Sequence, residues 1–228
     1  MGIHIQLDTA FRPGLPVLPA GGFIDTLKYV GTPTLTDNNR PWQYGSWSGS
    51  PGPTAEVLAS SRLLRPGTDS AGQGLYFVDL GSTAGRIEAL IATPTADGKL
   101  RLVCGAFQDT NASGNTGTGW NVMMLEISTR GVGGTRFRFV GRYNGAEVTE
   151  SYSTTDTEAA GKVVRVDRDK DNNCQVFLDG TLVHTMSEIH KASFPAATVL
   201  NRMTGYGFYT AGSGGESWRI GEMRAMAL

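Results

Sequence analysis

Residues 135–152 read TRFRFVGRYNGAEVTESY, and this stretch contains the strongest hairpin signal in the chain. Aromatic and basic side chains alternate up to the pair Asn144-Gly145, and a second alternating segment follows it. Asn-Gly suits a two-residue type I′ turn, because both turn positions require positive φ. The sequence therefore predicts an antiparallel hairpin that joins a strand over Phe139–Tyr143 to a strand over Val148–Tyr152.

A second hairpin signal lies after this stretch, and a further turn signal lies before it. Asp179-Gly180 separates Val176–Leu178 from Leu182–His184, and Asp97-Gly98 separates two further apolar segments. Helical periodicity is nearly absent, and the one helix-like stretch runs from Ser187 to Ala192. The predicted strands are Glu56–Leu63, Gly74–Leu80, Gly85–Thr93, Lys99–Phe107, Trp120–Ser128, Thr135–Tyr143, Ala146–Ser153, Gly161–Asp167, Cys174–Leu178, Thr181–Met186, Gly205–Thr210 and Trp218–Met226.

About a dozen short strands without crossover helices are typical of antiparallel sheets in a sandwich or barrel. They are too many for one small sandwich, and neither a composition break nor an internal repeat divides them. We therefore predict an all-β fold, a two-sheet antiparallel jelly-roll sandwich that forms a single domain over residues 23–228.

The first 22 residues differ from the rest in their residue pattern and predict an extended arm with a proline-rich tether. Apolar and polar residues alternate over positions 3–7, and three prolines then recur at every third position, which is the period of a polyproline II helix. Such a strand must bury its apolar face on a sheet edge, either of its own domain or of a neighbouring subunit. We predict the intermolecular alternative, through the residues Ile3, Ile5, Leu7, Pro13, Pro16 and Pro19.

Composition excludes several classes of protein. Among 228 residues, 20 Lys and Arg oppose 21 Asp and Glu, so the net charge of −1 gives no electrostatic basis for binding nucleic acid. No apolar run approaches the roughly 20 residues of a membrane-spanning helix, so no membrane insertion is expected. Residues 1–8 lack a basic segment followed by an apolar core, so no secretion signal is predicted.

Two cysteines, Cys104 and Cys174, lie far apart in the sequence, each in an apolar, strand-like segment. Two cysteines alone do not define a disulfide framework. The favoured interpretation is two buried free thiols, and a single cross-strand disulfide is the alternative.

The order of the C-terminal segments resembles the concanavalin A-like, or laminin G-like, jelly-roll superfamily. Residues 174–183 read CQVFLDGTLV, residues 205–209 read GYGFY, and residues 218–223 read WRIGEM. Members of that superfamily often carry a strand pair with a turn at Asp-Gly, then a Gly-x-Gly-aromatic strand, then a closing strand with an aromatic residue near its start. The resemblance covers roughly residues 24–228 and implies a jelly roll of the lectin type.

The segment that holds Trp42, Gly45 and Trp47 is similar to the start of lectin-like modules in bacteriophage minor tail proteins. This resemblance implies a virion protein that assembles in the host cytoplasm, as a minor tail or capsid decoration component. Its implied partners are other virion proteins, further copies of this chain and a host cell-surface glycan.

The catalytic motifs of jelly-roll enzymes are missing from the sequence. Related β-glucanases carry the strand motif E-x-D-x-x-E, which places three carboxylates on one face, whereas Glu88 and Glu222 stand alone here. The Gln-x-His strand of jelly-roll alginate lyases is also missing. His4, His184 and His190 show no spacing typical of a nucleophile–base pair or of a zinc site, so structural roles are expected for them. The chain is therefore predicted not to be an enzyme.

The run from Asp167 to Asp171 begins like a calcium-binding loop, with Asp at alternate positions. Asn172 stands where such a loop needs glycine, and Leu178 stands where it needs a bidentate glutamate. We therefore expect an exposed hairpin loop. No cofactor is predicted: the superfamily resemblance implies calcium in many members, but no ligand set can be placed in this sequence.

The strand over residues 135–143 carries its aromatic side chains on one face and Arg136, Arg138 and Arg142 on the other. With the aromatic face in the core, the three guanidiniums form a solvent-facing stripe that could bind an anionic polysaccharide or the acidic surface of a neighbour. The alternative is cross-strand pairing with Glu147 or Glu150 of the next strand.

Two segments offer side chains suited to sugars. A long polar loop over residues 109–119 joins two strands, and aromatic residues lie directly after it and around residue 45. Aromatic rings stack on sugar faces and polar side chains bond to hydroxyls, although tryptophan in such strands is more often a core residue. The glycan-binding candidates are Trp42, Tyr44, Trp47, Asp109, Asn111, Asn115 and Trp120.

Together these observations favour a non-enzymatic virion protein that presents a lectin-like surface to a glycan or a host. A free-standing carbohydrate-binding lectin module is the first alternative. A polysaccharide-cleaving jelly-roll enzyme is the second.

Overall fold

The computed structural model describes residues 23–25, 43–46, 55–57, 64–66, 72–93, 98–108, 120–130, 134–143, 146–153, 158–192, 203–210 and 219–228. Within these ranges the chain forms fifteen β-strands and one short α-helix. The strands are β1 (Phe23–Asp25), β2 (Gln43–Ser46), β3 (Ala55–Val57), β4 (Leu64–Pro66), β5 (Gly72–Asp79), β6 (Gly85–Thr93), β7 (Gly98–Gln108), β8 (Trp120–Arg130), β9 (Gly134–Tyr143), β10 (Ala146–Thr149), β11 (Val163–Arg168), β12 (Cys174–Leu178), β13 (Thr181–Thr185), β14 (Met203–Thr210) and β15 (Arg219–Ala227), and the helix is α1 (Glu188–Ala192).

The strands form two antiparallel sheets. The eight-stranded sheet has the order β13-β12-β11-β6-β15-β4-β3, and β1 also pairs with β15. The seven-stranded sheet has the order β10-β9-β8-β7-β14-β5-β2. This architecture confirms the predicted all-β, two-sheet sandwich.

The main core lies between the two sheets, because alternate strand residues point inward and are apolar. Val164 and Val166 of β11 point inward from one sheet, and Phe137 of β9 points inward from the other. The rings of Tyr76 and Tyr206 stack within the same core, with their centroids 5.1 Å apart. Each such burial contributes roughly 1.5–3 kcal/mol, so the alternation of residue types selects which face of each strand packs inward.

Turn residues fix the hairpins where the sequence predicts them. Asp179 and Gly180 both have positive φ, at 46° and 84°, as a type I′ turn requires. In the hairpin predicted from Asn144-Gly145, β9 and β10 pair antiparallel with Tyr143 opposite Ala146. This register confirms a two-residue connection.

One strand ends earlier than the sequence predicts. The segment predicted as a strand over Ala146–Ser153 keeps strand geometry only to Thr149. Beyond that point, a carboxylate oxygen of Glu150 accepts the amide hydrogen of Phe139, and the hydroxyl oxygen of Ser153 accepts that of Phe137. Two backbone amide hydrogens that would bond to backbone carbonyls in a regular strand pair therefore bond to side-chain oxygens here.

Several predictions fall partly or wholly outside the described ranges. Of the strand predicted over Glu56–Leu63, the structure describes only the part within β3. The arm over residues 1–22 and the polar loop over residues 109–119 lie outside the described part of the chain. In the part that is described, no helix has the length and apolar character needed to cross a membrane.

Candidate functional site

Charged side chains lie on the outward face of the seven-stranded sheet, away from the main core. Arg101 of β7 lies opposite Glu126 of β8, and Glu126 lies opposite Arg138 of β9. Directly opposed residues of neighbouring strands share a face of the sheet. The adjacent residues Leu102 and Leu125 belong to the main core, so the three charged side chains point the other way.

Glu126 is the centre of this group, and its side chain is fully buried. Arg101 Nε donates to Glu126 Oε2 at 3.0 Å, and Arg138 Nε donates to Oε1 at 2.8 Å. The Tyr152 hydroxyl donates to Oε1 at 2.7 Å, and Lys99 Nζ lies 3.1 Å from the same oxygen. Both carboxylate oxygens are therefore bonded, and we call these five residues the basic cluster.

The surroundings keep Glu126 ionised. Burial alone would raise the pKa of this carboxyl, but the charge of Arg101, the hydroxyl of Tyr152 and the charge of Lys99 lower the pKa from 4.5 to about 2. At neutral pH the group therefore carries no proton to donate. It can orient neighbouring cations, but it cannot act as a general acid.

Two cations of the basic cluster are partly exposed to solvent. The side chains of Lys99 and Arg138 are 30% and 20% exposed, whereas that of Arg101 is 7% exposed. Arg138 also lies over the ring of Tyr152, with its guanidinium carbon 4.3 Å from the ring centroid. Arg138 directs Nε and Nη2 toward Glu126.

The rest of the outward face differs in character from the basic cluster. In β14, Gly207 lies opposite Arg101 and Gly205 lies opposite Val103, so this strand presents no side chain at two successive outward positions. Glycine in a strand is often found where a ligand or another backbone approaches closely. A second group of buried apolar residues shares the face: Leu75, Val103, Val122, Met124 and Val140.

Arg138, the middle residue of the arginine stripe predicted on β9, pairs with a different strand from the one that the alternative prediction named. Arg138 pairs with Glu126 of the preceding strand and not with Glu147 or Glu150 of the following segment. The register is the physical reason, because Glu147 lies opposite Arg142. The structure therefore places Arg138 in a partly buried ion-pair network instead of on an open solvent stripe.

Strand register places the other predicted site residues that fall within the described ranges. Arg136 lies opposite Ser128, Tyr44 lies opposite Tyr76, and Trp120 is the first residue of β8. The remaining candidates lie outside the described residues, and their roles stay predictions: Trp42, Trp47, Asp109, Asn111, Asn115, Ile3, Ile5, Leu7, Pro13, Pro16 and Pro19.

The acidic run between β11 and β12 forms the predicted hairpin loop. The Asp169 carboxylate accepts the amide hydrogens of Asp171 and Asn173 at 2.8 and 2.9 Å. Asp167 instead accepts two hydrogen bonds from Arg86, at 2.6 and 2.7 Å. The carboxylates of Asp167 and Asp169 thus have their own protein partners, and the residues that the structure describes contain no group of three His, Cys, Asp or Glu arranged to hold a metal ion.

Glu126 is absent from the residues predicted above, although the sequence carries a signal for it. Glu88 and Glu222, the isolated carboxylates discussed there, lie in β6 and β15 of the eight-stranded sheet. Glu126 is the single charge in the apolar run from Val122 to Ile127. A charge in so apolar a strand is expected to be buried and paired with an opposite charge.

Comparison with known proteins bears on the fold. No family model matches the sequence, and no curated protein matches it. The β-glucanase of Bacillus licheniformis superposes with a TM-score of 0.54 at 16% identity, over 91% of this chain and 99% of that one. The potassium-bound Emp46p carbohydrate recognition domain gives 0.53 at 10% identity, over 92% and 98%. LamAcat from Zobellia galactanivorans gives 0.53 at 16% identity, over 90% and 96%.

These solved structures include both carbohydrate recognition domains and a glucanase, so at such low identities they show the fold alone. The likeness extends over nearly the whole of each chain. This chain therefore has the jelly-roll fold that carbohydrate recognition domains and β-glucanases share, which confirms the concanavalin A-like architecture predicted from its C-terminal segments.

Proposed function

We propose that this chain is a non-catalytic, lectin-like protein that binds acidic carbohydrate at the basic cluster, as a structural component of a virion. One observation carries the binding part of the proposal. Glu126 is fully buried and holds three cationic side chains on one sheet face, and two of them reach solvent. Carboxylate and sulfate groups of acidic sugars match the hydrogen-bonding geometry of arginine.

The state of Glu126 favours binding over catalysis. Glycoside hydrolysis generally requires one carboxyl group that donates a proton and a second carboxylate that acts as base or nucleophile. Glu126 has a pKa of about 2, and hydrogen bonds from Arg101, Arg138 and Tyr152 occupy both of its oxygens. These contacts support a role in orienting cations, and a polysaccharide-cleaving enzyme stays the alternative.

Arg138 is the residue to which we assign direct ligand contact. The carboxylate of Glu126 and the ring of Tyr152 fix its guanidinium, so little side-chain entropy is lost when a ligand binds. The neighbouring positions Gly205 and Gly207 add no side chain to this face.

Binding to defined polymers tests this assignment. Titration calorimetry against polygalacturonate, heparan sulfate and neutral laminarin should show binding of an acidic polymer that weakens with added salt. Arg138→Gln should weaken that binding at least tenfold, since a hydrogen bond to a charged group contributes roughly 1.5–3 kcal/mol.

Arg165→Gln is the matched control. Arg165 lies on the eight-stranded sheet, with the Asp167 carboxylate 3.5 Å away and its guanidinium carbon 3.8 Å from the Phe177 ring centroid. This variant should bind as the wild type does. Binding of laminarin alone, or equal losses in both variants, would contradict the proposal. Sustained release of reducing sugar by the wild type would favour the enzyme alternative.

The virion part of the proposal is supported by the sequence. The segment around Trp42 and Trp47 is similar to phage tail modules, and residues 1–22 have the pattern of an assembly arm. Mass spectrometry of particles purified from the native source should detect the chain at a constant copy number per particle. A chain that binds glycan but is missing from every particle fraction would instead be a free-standing lectin.

A further inference from the structure

The strand β13 forms one edge of the eight-stranded sheet. Among the described strands it pairs with β12 alone, and it is the longest of the outermost strands. It has five residues, whereas β3 has three and β2 and β10 have four each. The backbone groups along an open edge of this kind are a template on which a strand of another chain can pair.

Edge strands are commonly protected from such pairing by charged side chains or prolines. The residues of β13 read TLVHT, with no proline and no Asp, Glu, Lys or Arg. Its histidine, His184, places Nε2 2.6 Å from a carboxylate oxygen of Glu150. In contrast, β10 at an edge of the seven-stranded sheet carries the exposed Glu147. Of these two edges, β13 is therefore the one more open to pairing.

The surface at this edge is also apolar. Three large apolar side chains are exposed in the part of the chain that the structure describes, and two of them are Leu182 in β13 and Ile189 in α1. Leu182 lies opposite Phe177 of β12, on the outward face of the sheet. A strand added beside β13 would extend this row of side chains and bury Leu182.

We propose that residues 3–7 of a second copy of this chain add to the sheet as a strand beside β13. These residues lie outside the described part of the chain, and their sequence, IHIQL, alternates apolar and polar positions. Their number matches the length of β13, and they contain no Asp, Glu, Lys or Arg. Pairing therefore brings no like charges together, and it covers Leu182 with an isoleucine or leucine side chain.

The length of the chain before β1 permits this contact. β1 begins at Phe23 and pairs with β15, and β6, β11 and β12 lie between β15 and β13. These five strand spacings amount to roughly 24 Å, whereas residues 8–22 span roughly 50 Å when extended. The segment is thus long enough to pass beyond its own sheet. Because Leu182 is 49% exposed in the single chain, we assign the contact to a second copy.

This inference rests on the assembly role proposed above for residues 1–22. It is independent of glycan binding, because the basic cluster lies on the other sheet.

Amide hydrogen exchange of the full-length chain at increasing protein concentration tests the proposal. Exchange over residues 3–7 and 181–185 should slow together as the concentration rises, because each segment supplies hydrogen-bond partners for the other. Exchange over residues 146–149, in the edge strand β10, should not change with concentration.

Leu182→Lys provides the matching variant, measured by sedimentation equilibrium. Self-association should weaken roughly tenfold, because the buried leucine is lost and a charge is placed at the edge. Leu228→Lys is the control, since Leu228 is 53% exposed and follows β15, away from β13. This control should associate as the wild type does, and both variants should keep the wild-type melting temperature.

Three results would overturn the proposal: a chain that is monomeric at every concentration, protection of residues 181–185 that is independent of concentration, or wild-type association of Leu182→Lys. Particle attachment that is lost on deletion of residues 1–20 but kept by Leu182→Lys would place the arm on a different virion protein. That result would overturn the contact with β13 and leave the proposed virion role in place.

Discussion

Glu126 provides the negative charge that pairs with three cations on the outward face of the seven-stranded sheet. Lys99, Arg101 and Arg138 all place a nitrogen within 3.1 Å of its oxygens. Without the carboxylate, these cations would lie together in a site that is largely closed to water. Removal of one partner from a buried ion pair is strongly destabilising for this reason.

We therefore expect Glu126→Gln to lower the free energy of unfolding by roughly 3–5 kcal/mol, measured by urea unfolding at pH 7. The folded-state pKa of about 2 lies below the ordinary value of 4.5, so the ionised group stabilises the fold above about pH 4.5. This contribution should be lost as the pH falls from 4.5 toward 2, and the variant should lack that part of the pH dependence.

Glu188→Gln is the control for this change, because the side chain of Glu188 is 84% exposed. Its effect on the free energy of unfolding should stay within about 0.5 kcal/mol. If Glu126→Gln is as stable as the wild type at pH 7, the basic cluster is not organised by that carboxylate.

At the scale of elements, Glu150 joins the edges of the two sheets. It follows β10, and its carboxylate accepts the Phe139 amide hydrogen at 2.9 Å, lies 2.6 Å from His184 Nε2 of β13 and accepts the Ser187 amide hydrogen at 3.2 Å. The imidazole of His184 stacks on Phe139, with ring centroids 5.7 Å apart. Burial would raise the pKa of Glu150, but the bonds from His184 and the two amides lower it.

Glu150→Gln should loosen this edge locally. Amide hydrogen exchange should accelerate more over residues 181–192 than in β7 and β8, and the free energy of unfolding should fall by roughly 1–3 kcal/mol. Because the folded-state pKa is lowered, this stabilisation is present above the ordinary pKa of glutamate and disappears as the pH falls below it.

Glu158→Gln is the control, since that carboxylate caps the amide of Ala160 in an exposed turn. If amide hydrogen exchange accelerates equally in both sheets, Glu150 does not stabilise this edge locally.

The bounds of several strands could be predicted, whereas β1, β2, β4 and most side-chain partners could not. The predicted bounds Gly85–Thr93 and Cys174–Leu178 coincide with β6 and β12, because alternation and turn residues are local properties. The pairing of Arg138 with Glu126 depends on which strands become neighbours and in which register. No residue near either position encodes that choice, so the pair formed by Arg138 and Glu126 was not among the partners considered for the stripe.

At the scale of the whole molecule, the N-terminal arm supports one further prediction. The first described strand, β1, begins at Phe23 and pairs with β15. Deletion of residues 1–20 should therefore leave the jelly roll folded with little change in melting temperature, and should weaken self-association or attachment to a particle. Calorimetry and light scattering measure the two effects separately. If the truncated chain unfolds while the intact chain is a free monomer, the segment is an edge strand of its own domain.

The position of β15 has a consequence for protein synthesis. This strand is central in its sheet: β6 pairs with one edge, while β4 and β1 pair with the other. It is also the last of the described strands and ends at Ala227. Strand pairs such as β8–β9 can form on the ribosome once both strands have emerged, but β6 and β4 keep open edges until residue 227 has emerged. Until then these unpaired edges are open to pairing with other chains, so we expect the nascent chain to be prone to aggregation.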